Sequence, residues 1–194
     1  MGVLATFDAA GQWGDTHVCD SLIAQHLADH GVAWGRWEDP GTLPADAPLA
    51  AVLDSRQAEI AQLRERFLLQ SADQLHLEPE AADWPALRRQ WRAEHRREGV
   101  EVRCVLEGTQ LLYLRIDQGY LAVLCEAGEW VALPAHAARV FDAGDSPELN
   151  VLRLWSGAEI PVIGPSSDVI SSLPLLDAFV ETMLELTGHA AEEE

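Results

Sequence analysis

Apolar and polar residues alternate with the two-residue period of a β-strand from residue 100 onward. The apolar side of this strand consists of Val100, Val102, Cys104 and Leu106. Gly108 ends the run, and further short apolar segments follow, separated by turns that contain Gly or Pro. They cover residues 111–116, 120–125, 130–133, 139–141 and 149–155. Many short strands at regular spacing predict an antiparallel barrel or jelly roll.

Apolar residues with helical spacing lie on both sides of this strand-rich region. The spacing predicts a helix that Thr16 caps and that runs to about His30, followed later by a helix over residues 53–67. Pro85 is suited to the first turn of a short helix. A last amphipathic helix is predicted over residues 173–186.

We therefore predict a mainly β protein with flanking helices, folded as one compact domain. Residues 1–93 are expected to supply strands and helices packed on the barrel. Residues 94–157 would form the barrel core, and residues 158–194 a C-terminal extension that is part helical.

The composition excludes several classes of function. The net charge is −19, and the chain has no lysine because all 13 basic residues are arginines. Such a surface repels phosphate backbones, so we expect no nucleic-acid partner, and Schiff-base chemistry on lysine is excluded. No apolar run approaches the length of a membrane span, and no secretion signal is present, so we expect no membrane contact. Three widely spaced cysteines indicate reduced thiols in a cytoplasmic protein.

Two segments have the spacing of a metal site in which two histidines have become arginines. The first fits H-x-H-x3-E-x6-G at His95, Glu101 and Gly108, with Arg97 in the second His position. The second fits G-x5-P-x-G-x2-H at Gly128 and Pro134, where His136 occupies the Gly position and Arg139 the His position.

With these motifs the chain resembles the acireductone dioxygenase family of the cupin fold, whose barrel is a jelly roll. The likeness runs from the N-terminus to about Trp155 in collinear order. Besides the two motifs it includes residues 31–37, 94–95, 101–103, 123–126, 133–136, 141–142 and 152–154.

The resemblance implies a barrel that binds one divalent metal, Fe(II) or Ni(II), through three His and one Glu. Family members cleave an acireductone, an enediol of methionine salvage, with dioxygen. His95 and Glu101 hold two of the ligand positions. By the same resemblance, Arg103, Phe141 and Arg153 match residues that line or orient substrate, and Trp91 replaces an aromatic residue there.

Arg97 and Arg139 cannot serve as metal ligands, because a guanidinium has no lone pair and stays protonated. Two arginines around one glutamate nevertheless carry the same formal charge as a divalent metal bound to one glutamate. We expect both arginines to pair with Glu101, and also with Glu98 or Asp142, since unpaired buried charges are costly.

Our main prediction is a degenerate site without cofactor, in a pseudoenzyme or a protein that binds a small anion independently of metal. The metal positions His95 and Glu101 would be unoccupied. The predicted ligand-binding residues are Arg97, Arg139, Arg103, Arg153, Phe141 and Trp91.

Two alternatives stay open. In the first, the protein is an active dioxygenase for an enediol, and Glu98 or His136 completes a rebuilt Fe(II) or Ni(II) site. His136 also suits a turn, with no part in the site. In the second alternative the arginine–carboxylate cluster only stabilises the barrel, and residues 173–186 pack on the body or on a partner, as in a monomer or homodimer. No nucleophile elbow, P-loop or dinucleotide fingerprint is present.

Overall fold

The computed structural model describes residues 2–37, 44, 46–157, 162–163 and 168–187. Eleven strands and six helices follow one another within these residues. They are β1 (Val3–Asp8), β2 (Trp13–His17), α1 (Asp20–Ala28), β3 (Ala33–Arg36), α2 (Leu49–Ser55), α3 (Gln57–Phe67), β4 (Ser71–Leu77), α4 (Trp84–Trp91), β5 (His95–Arg96), β6 (Glu101–Ile116), β7 (Gly119–Glu126), β8 (Glu129–Leu133), β9 (Arg139–Asp142), β10 (Leu149–Trp155), β11 (Val162–Ile163), α5 (Asp168–Ser172) and α6 (Leu176–Thr187). The predicted mainly β architecture with flanking helices is confirmed.

The long strand β6 belongs to both faces of a curled antiparallel sheet. Its first half pairs with β8 and β10, and these extend to β3 and β4 respectively. Its second half pairs with β7 and β9, which lead to β1 and β2 on one side and to β5 and β11 on the other. Because one strand serves both faces, side chains near its start point into the space between them.

Gly108 does not end a strand, contrary to the sequence prediction; β6 runs through it. The residue has φ +76°, and a Cβ built there would lie 1.7 Å from the carbonyl oxygen of Glu148. The register between β6 and β10 shifts between Asn150 and Val151 beside it. The residue left without a partner by this shift is Leu106, and Gly108 follows it where β6 passes from one face to the other. Its positive φ and the close Glu148 carbonyl permit only glycine there.

Two helix predictions were wrong in their bounds. Thr16 lies in β2, opposite Ala5 of β1, and α1 begins only at Asp20. The helix predicted over residues 53–67 is two helices, α2 and α3, that meet at Arg56. The helix predicted over residues 173–186 corresponds to α6, and α5 precedes it.

The core has three parts, set by which elements cover the sheet. The barrel interior holds apolar residues of β6, β7, β8 and β10 together with Trp84 and Trp91 of α4. A second cluster lies beneath α5 and α6 around Phe179, and a third beneath α2 and α3 around Leu63. Since β1, β3 and β4 pair with strands of residues 94–157, the first 93 residues contribute to the sheet itself. The three-part division of the chain stays a prediction.

Within the described ranges, no helix combines the length and the apolarity that crossing a membrane requires.

Candidate functional site

The residues singled out by the sequence motifs come together at one end of the barrel interior. His95 lies on β5 directly opposite Arg139 on β9, which is the single residue pair between these strands. Glu101 is the first residue of β6, and Arg97 lies in the four residues between β5 and β6. The meeting of β5, β9 and the start of β6 therefore brings a histidine, a glutamate and two arginines together.

Glu101 is fully buried and lies among three guanidinium groups. Its Oε1 accepts a hydrogen bond from Arg103 Nη1 at 3.1 Å, and its Oε2 accepts one from Arg139 Nη1 at 3.0 Å. Arg97 Nε lies 3.2 Å from the same Oε2. Both carboxylate oxygens therefore have cationic partners, and three guanidinium groups surround the one negative charge.

Aromatic faces hold the guanidinium groups in place. The Arg103 guanidinium carbon lies 4.0 Å from the centre of the Phe141 ring, and that of Arg97 lies 3.9 Å from the Trp155 ring. Arg103 Nε also donates to Gln110 Oε1 at 3.0 Å. Cation–π contact and hydrogen bonding fix Arg103 in one orientation at the inner wall of the barrel.

The charges of the cluster shift one another's pKa values. Burial alone would raise the pKa of Glu101, but Arg103, Arg139 and Arg97 outweigh it and hold that pKa below its ordinary value. Burial lowers the pKa of Arg103 to about 10, although Glu101 acts in the opposite direction. Both groups therefore stay ionised at neutral pH, and the cluster is a true ion network.

His95 is held in one tautomer. Its Nδ1 lies 3.0 Å from the carbonyl oxygen of Ala93, which can only accept, so Nδ1 carries the proton. Burial is the main cause that lowers the pKa of His95, and Arg139 and Arg97 add to it. The imidazole is therefore neutral, with the lone pair on Nε2.

Arg153 contributes a further cation beside the cluster, paired with Asp73. Its Nε and Nη2 donate to the two carboxylate oxygens of Asp73 at 2.7 and 2.6 Å. Asp73 on β4, Arg153 on β10 and Arg103 on β6 lie in register across three neighbouring strands. The row places two arginines side by side with one carboxylate at its outer end.

A cavity of about 210 Å³ opens against this wall. Its lining combines three arginines with apolar and aromatic residues of α4 and β9. The lining residues are Leu87, Gln90, Trp91, His95, Arg97, Arg103, Phe141 and Arg153. A chamber with cations on one side and apolar groups on the other suits an amphipathic anion.

Several buried donors at the site have no acceptor among the described residues. They are Arg103 Nη2, Gln110 Nε2, and Nε and Nη2 of Arg139. Buried polar groups normally find partners, because leaving one unsatisfied costs about 1–3 kcal/mol. Of these groups, Arg103 is the one that lines the cavity.

Helix α4 forms the roof of the cavity and is fastened by Arg88. The Arg88 guanidinium donates from Nε and Nη2 to the two oxygens of Asp142, at 2.6 and 2.9 Å, and also contacts Asp145. Hydrogen bonding to Asp142 is the main cause that raises the pKa of Arg88. The same Asp142 accepts from the backbone N–H of Leu176 at the start of α6. One carboxylate therefore joins the roof, β9 and the C-terminal helix.

Replacing Arg88 should loosen this roof. We expect Arg88→Ala to lower the free energy of unfolding by roughly 3 kcal/mol, because Asp142 stays buried without its cation. Urea denaturation followed by circular dichroism measures the change. Arg89→Ala, on the exposed side of the same helix, is the matched control and should stay within about 0.5 kcal/mol of the parent. Equal losses in the two variants would contradict this role for Arg88.

The remaining candidates do not join the cluster. Asp142 pairs with Arg88 and not with Arg97 or Arg139. Glu98 and His136 are both exposed. His136 occupies a left-handed turn position with φ 64°, and its backbone N–H donates to the carbonyl oxygen of Arg97. In the part of the chain that the structure describes, no three His, Cys, Asp or Glu side chains come together to hold a metal ion.

Sequence reasoning missed Gln110, Asp73 and Arg88 as supports of the site. Gln110 lies seven residues after Arg103 on the same strand and meets it because β6 passes from one face of the sheet to the other. Asp73 meets Arg153 through the pairing of β4 with β10, which leaves no local motif. Arg88 had a signal: it lies one turn before Trp91 on α4, and so on the face of the helix that covers the site.

Known proteins are similar to this chain in both sequence and fold. The model of the ARD/ARD′ family matches residues 45–160. An acireductone dioxygenase from Parasynechococcus marenigrum is 31% identical over 91% of this chain and 100% of its own length. One from Marinobacter nauticus is 33% identical over 78% of this chain and 82% of its own.

A solved structure extends the likeness to the fold. It is an acireductone dioxygenase from Bacillus anthracis with a cadmium ion in its active centre. The match has a TM-score of 0.71 at 18% identity and covers 84% of this chain and 98% of that one. This confirms the predicted cupin fold. Together, the family model and the relatives show that the chain belongs to the acireductone dioxygenase (ARD/ARD′) family.

Proposed function

We propose that this chain is a family member with a degenerate metal site, and that it binds a small anion without a metal. Arg97 and Arg139 take two of the metal-ligand positions of the family, and His95 and Glu101 are what is left of the site. The protein is then a metal-independent binding protein or pseudoenzyme.

One observation carries the proposal: both oxygens of Glu101 are engaged by guanidinium groups. A metal ion would need those oxygens, and it would meet cations where it needs electron pairs. Among the metal-ligand positions of the motifs, all of which the structure describes, only His95 Nε2 offers a further lone pair. The residues present therefore do not fit a divalent metal.

The charge balance supports an anion as the ligand. Arg97, Arg103, Arg139 and Glu101 are all buried, and the three positive charges of this cluster exceed its one negative charge. A buried surplus charge costs several kcal/mol unless a counter-ion accompanies it. Arg103 lines the cavity and its Nη2 has no acceptor among the described residues, so an anion bound beside this guanidinium would offset the charge and could accept from that donor.

Elemental analysis tests the loss of metal. Protein expressed with added iron and nickel, and purified without chelators, should contain far less than one metal ion per chain. A bacterial acireductone dioxygenase prepared in parallel serves as the positive control. Stoichiometric iron or nickel in this chain would overturn the proposal.

The second candidate is an active dioxygenase with a rebuilt metal set. It is favoured by the neutral state of His95, because a neutral imidazole with its lone pair on Nε2 can bind a metal. Oxygen consumption with an acireductone, abolished by His95→Ala, would establish it. We expect no consumption above the uncatalysed rate.

A further inference from the structure

Arg103 and Arg153 face each other directly across β6 and β10. Like charges in this position destabilise a sheet unless an anion lies near both. Asp73 uses both of its oxygens on Arg153, on the side of β10 away from Arg103. Glu101 reaches Arg103 only through Nη1. No described anion therefore bridges the two arginines.

Each arginine has one amino group that its neighbouring carboxylate does not engage. Arg103 uses Nε for Gln110 and Nη1 for Glu101, and its buried Nη2 has no partner among the described residues. Arg153 uses Nε and Nη2 for Asp73, so its Nη1 remains. Both side chains line the same cavity. A planar carboxylate, with two oxygens that accept in one plane, can bridge two such donors.

The opposite wall of the cavity is apolar, and it determines which chemical group a bound carboxylate can carry. Leu87 and Trp91 of α4 and Phe141 of β9 line the cavity with apolar surface. Trp91 and Phe141 support each other edge to face at 6.0 Å between ring centres. A cavity of about 210 Å³ corresponds to about seven water volumes, which suits an acid of about six or seven non-hydrogen atoms.

We propose that the cavity binds a short-chain aliphatic monocarboxylic acid, with its carboxylate between Arg103 and Arg153 and its tail against Leu87, Trp91 and Phe141. This inference rests on the proposed anion-binding function. The carboxylate would supply the anion that Arg103 and Arg153, opposite each other across β6 and β10, lack between them. The apolar wall gains nothing from an inorganic anion, because only a hydrocarbon tail removes apolar surface from water there.

Isothermal titration calorimetry at neutral pH compares four probes: valerate, acetate, valeramide and inorganic phosphate. Valerate should bind at least about tenfold more tightly than acetate, because each methylene buried against the apolar wall adds affinity. Valeramide has the same shape without the charge and should not bind detectably. Phosphate should bind more weakly than valerate.

Two variants test which residues bind the carboxylate of the ligand and which contact its hydrocarbon tail. Arg153→Gln should weaken both valerate and acetate by at least about tenfold, since it removes one of the two cations. Trp91→Leu should weaken valerate and leave acetate nearly unchanged, because only the tail reaches the roof. Arg89→Gln, on the exposed side of α4, is the control and should bind like the parent. Circular dichroism confirms that each variant is folded.

The possible failures are distinguishable. Equal affinity for valerate and acetate, or tighter binding of phosphate, would overturn the short-chain acid and leave anion binding intact. Binding of valeramide at the strength of valerate would refute the role of the arginines. No binding of any anion, or stoichiometric metal in the protein, would overturn the proposed function and this inference together.

Discussion

Glu101→Gln should destabilise the protein by roughly 3–5 kcal/mol, because it removes the anion that several buried cations share. Arg103 and Arg139 lose their carboxylate partner at 3.1 and 3.0 Å, and Arg97 loses the oxygen at 3.2 Å. The glutamine is nearly isosteric, so packing is retained and the loss reports on charge. Urea denaturation measures it as a fall in the unfolding midpoint at unchanged slope.

Two further variants test whether the loss of stability comes from the charge of Glu101 at its buried position. Glu98→Gln changes an exposed glutamate three residues earlier and should stay within about 0.5 kcal/mol of the parent. Glu101→Gln with Arg139→Gln removes one cation with the anion and should recover part of the loss. A cost below about 1 kcal/mol for Glu101→Gln would mean that the cluster contributes no more than a surface ion pair.

The strands were predictable because burial leaves a clear period in the chain. Residues 100–106 alternate because Val102 and Cys104 pack in the apolar cluster beneath α2 and α3, whereas Glu101 and Arg103 are buried on the other side, in the ion cluster. Gly108 could not be interpreted in the same way. Glycine is found both in turns and at positive-φ positions within a strand, and only the pairing with Leu149 and the close Glu148 carbonyl show that Gly108 is the second kind.

Thr16 shows how tertiary pairing overrides a local signal. A threonine before an apolar run suits a helix cap, but the same residue is also a good strand former. In the fold, β2 pairs with one edge of β1, and Thr16 lies in β2 opposite Ala5. The start of α1 moved to Asp20 as a consequence.

The motif spacing made the central residues of the candidate site predictable, whereas its supporting residues depend on strand pairing. His95, Arg97 and Glu101 lie within seven residues, so their proximity follows from local chain geometry. Asp73 is 80 residues away from Arg153 and meets it only because β4 pairs with β10. A single sequence carries no signal for such a register, so the carboxylate that pairs with Arg153 could not be foreseen.

The double substitution Arg97→His with Arg139→His should convert the site into one that binds Ni²⁺. With His95 and Glu101 it offers three imidazoles and one carboxylate, a donor set that suits Ni²⁺. Position 139 lies directly opposite His95, and position 97 is close to the same carboxylate. Removing both arginines also releases the oxygens of Glu101 that the guanidiniums hold. We expect affinity to rise at least a thousandfold over the parent, about 4 kcal/mol, measured by calorimetry in a non-chelating buffer.

The two substitutions should act together and not additively. Arg97→His alone leaves Arg139 hydrogen-bonded to Glu101, so the remaining guanidinium still occupies a ligand oxygen and repels the ion. The matched control, Arg64→His with Arg89→His, adds two histidines at exposed sites on α3 and α4 and should bind Ni²⁺ no better than the parent. If the folded double variant binds no more metal than this control, the cavity has diverged from a metal site at positions beyond 97 and 139. Tight binding by Arg97→His alone would instead mean that Arg139 does not block the site.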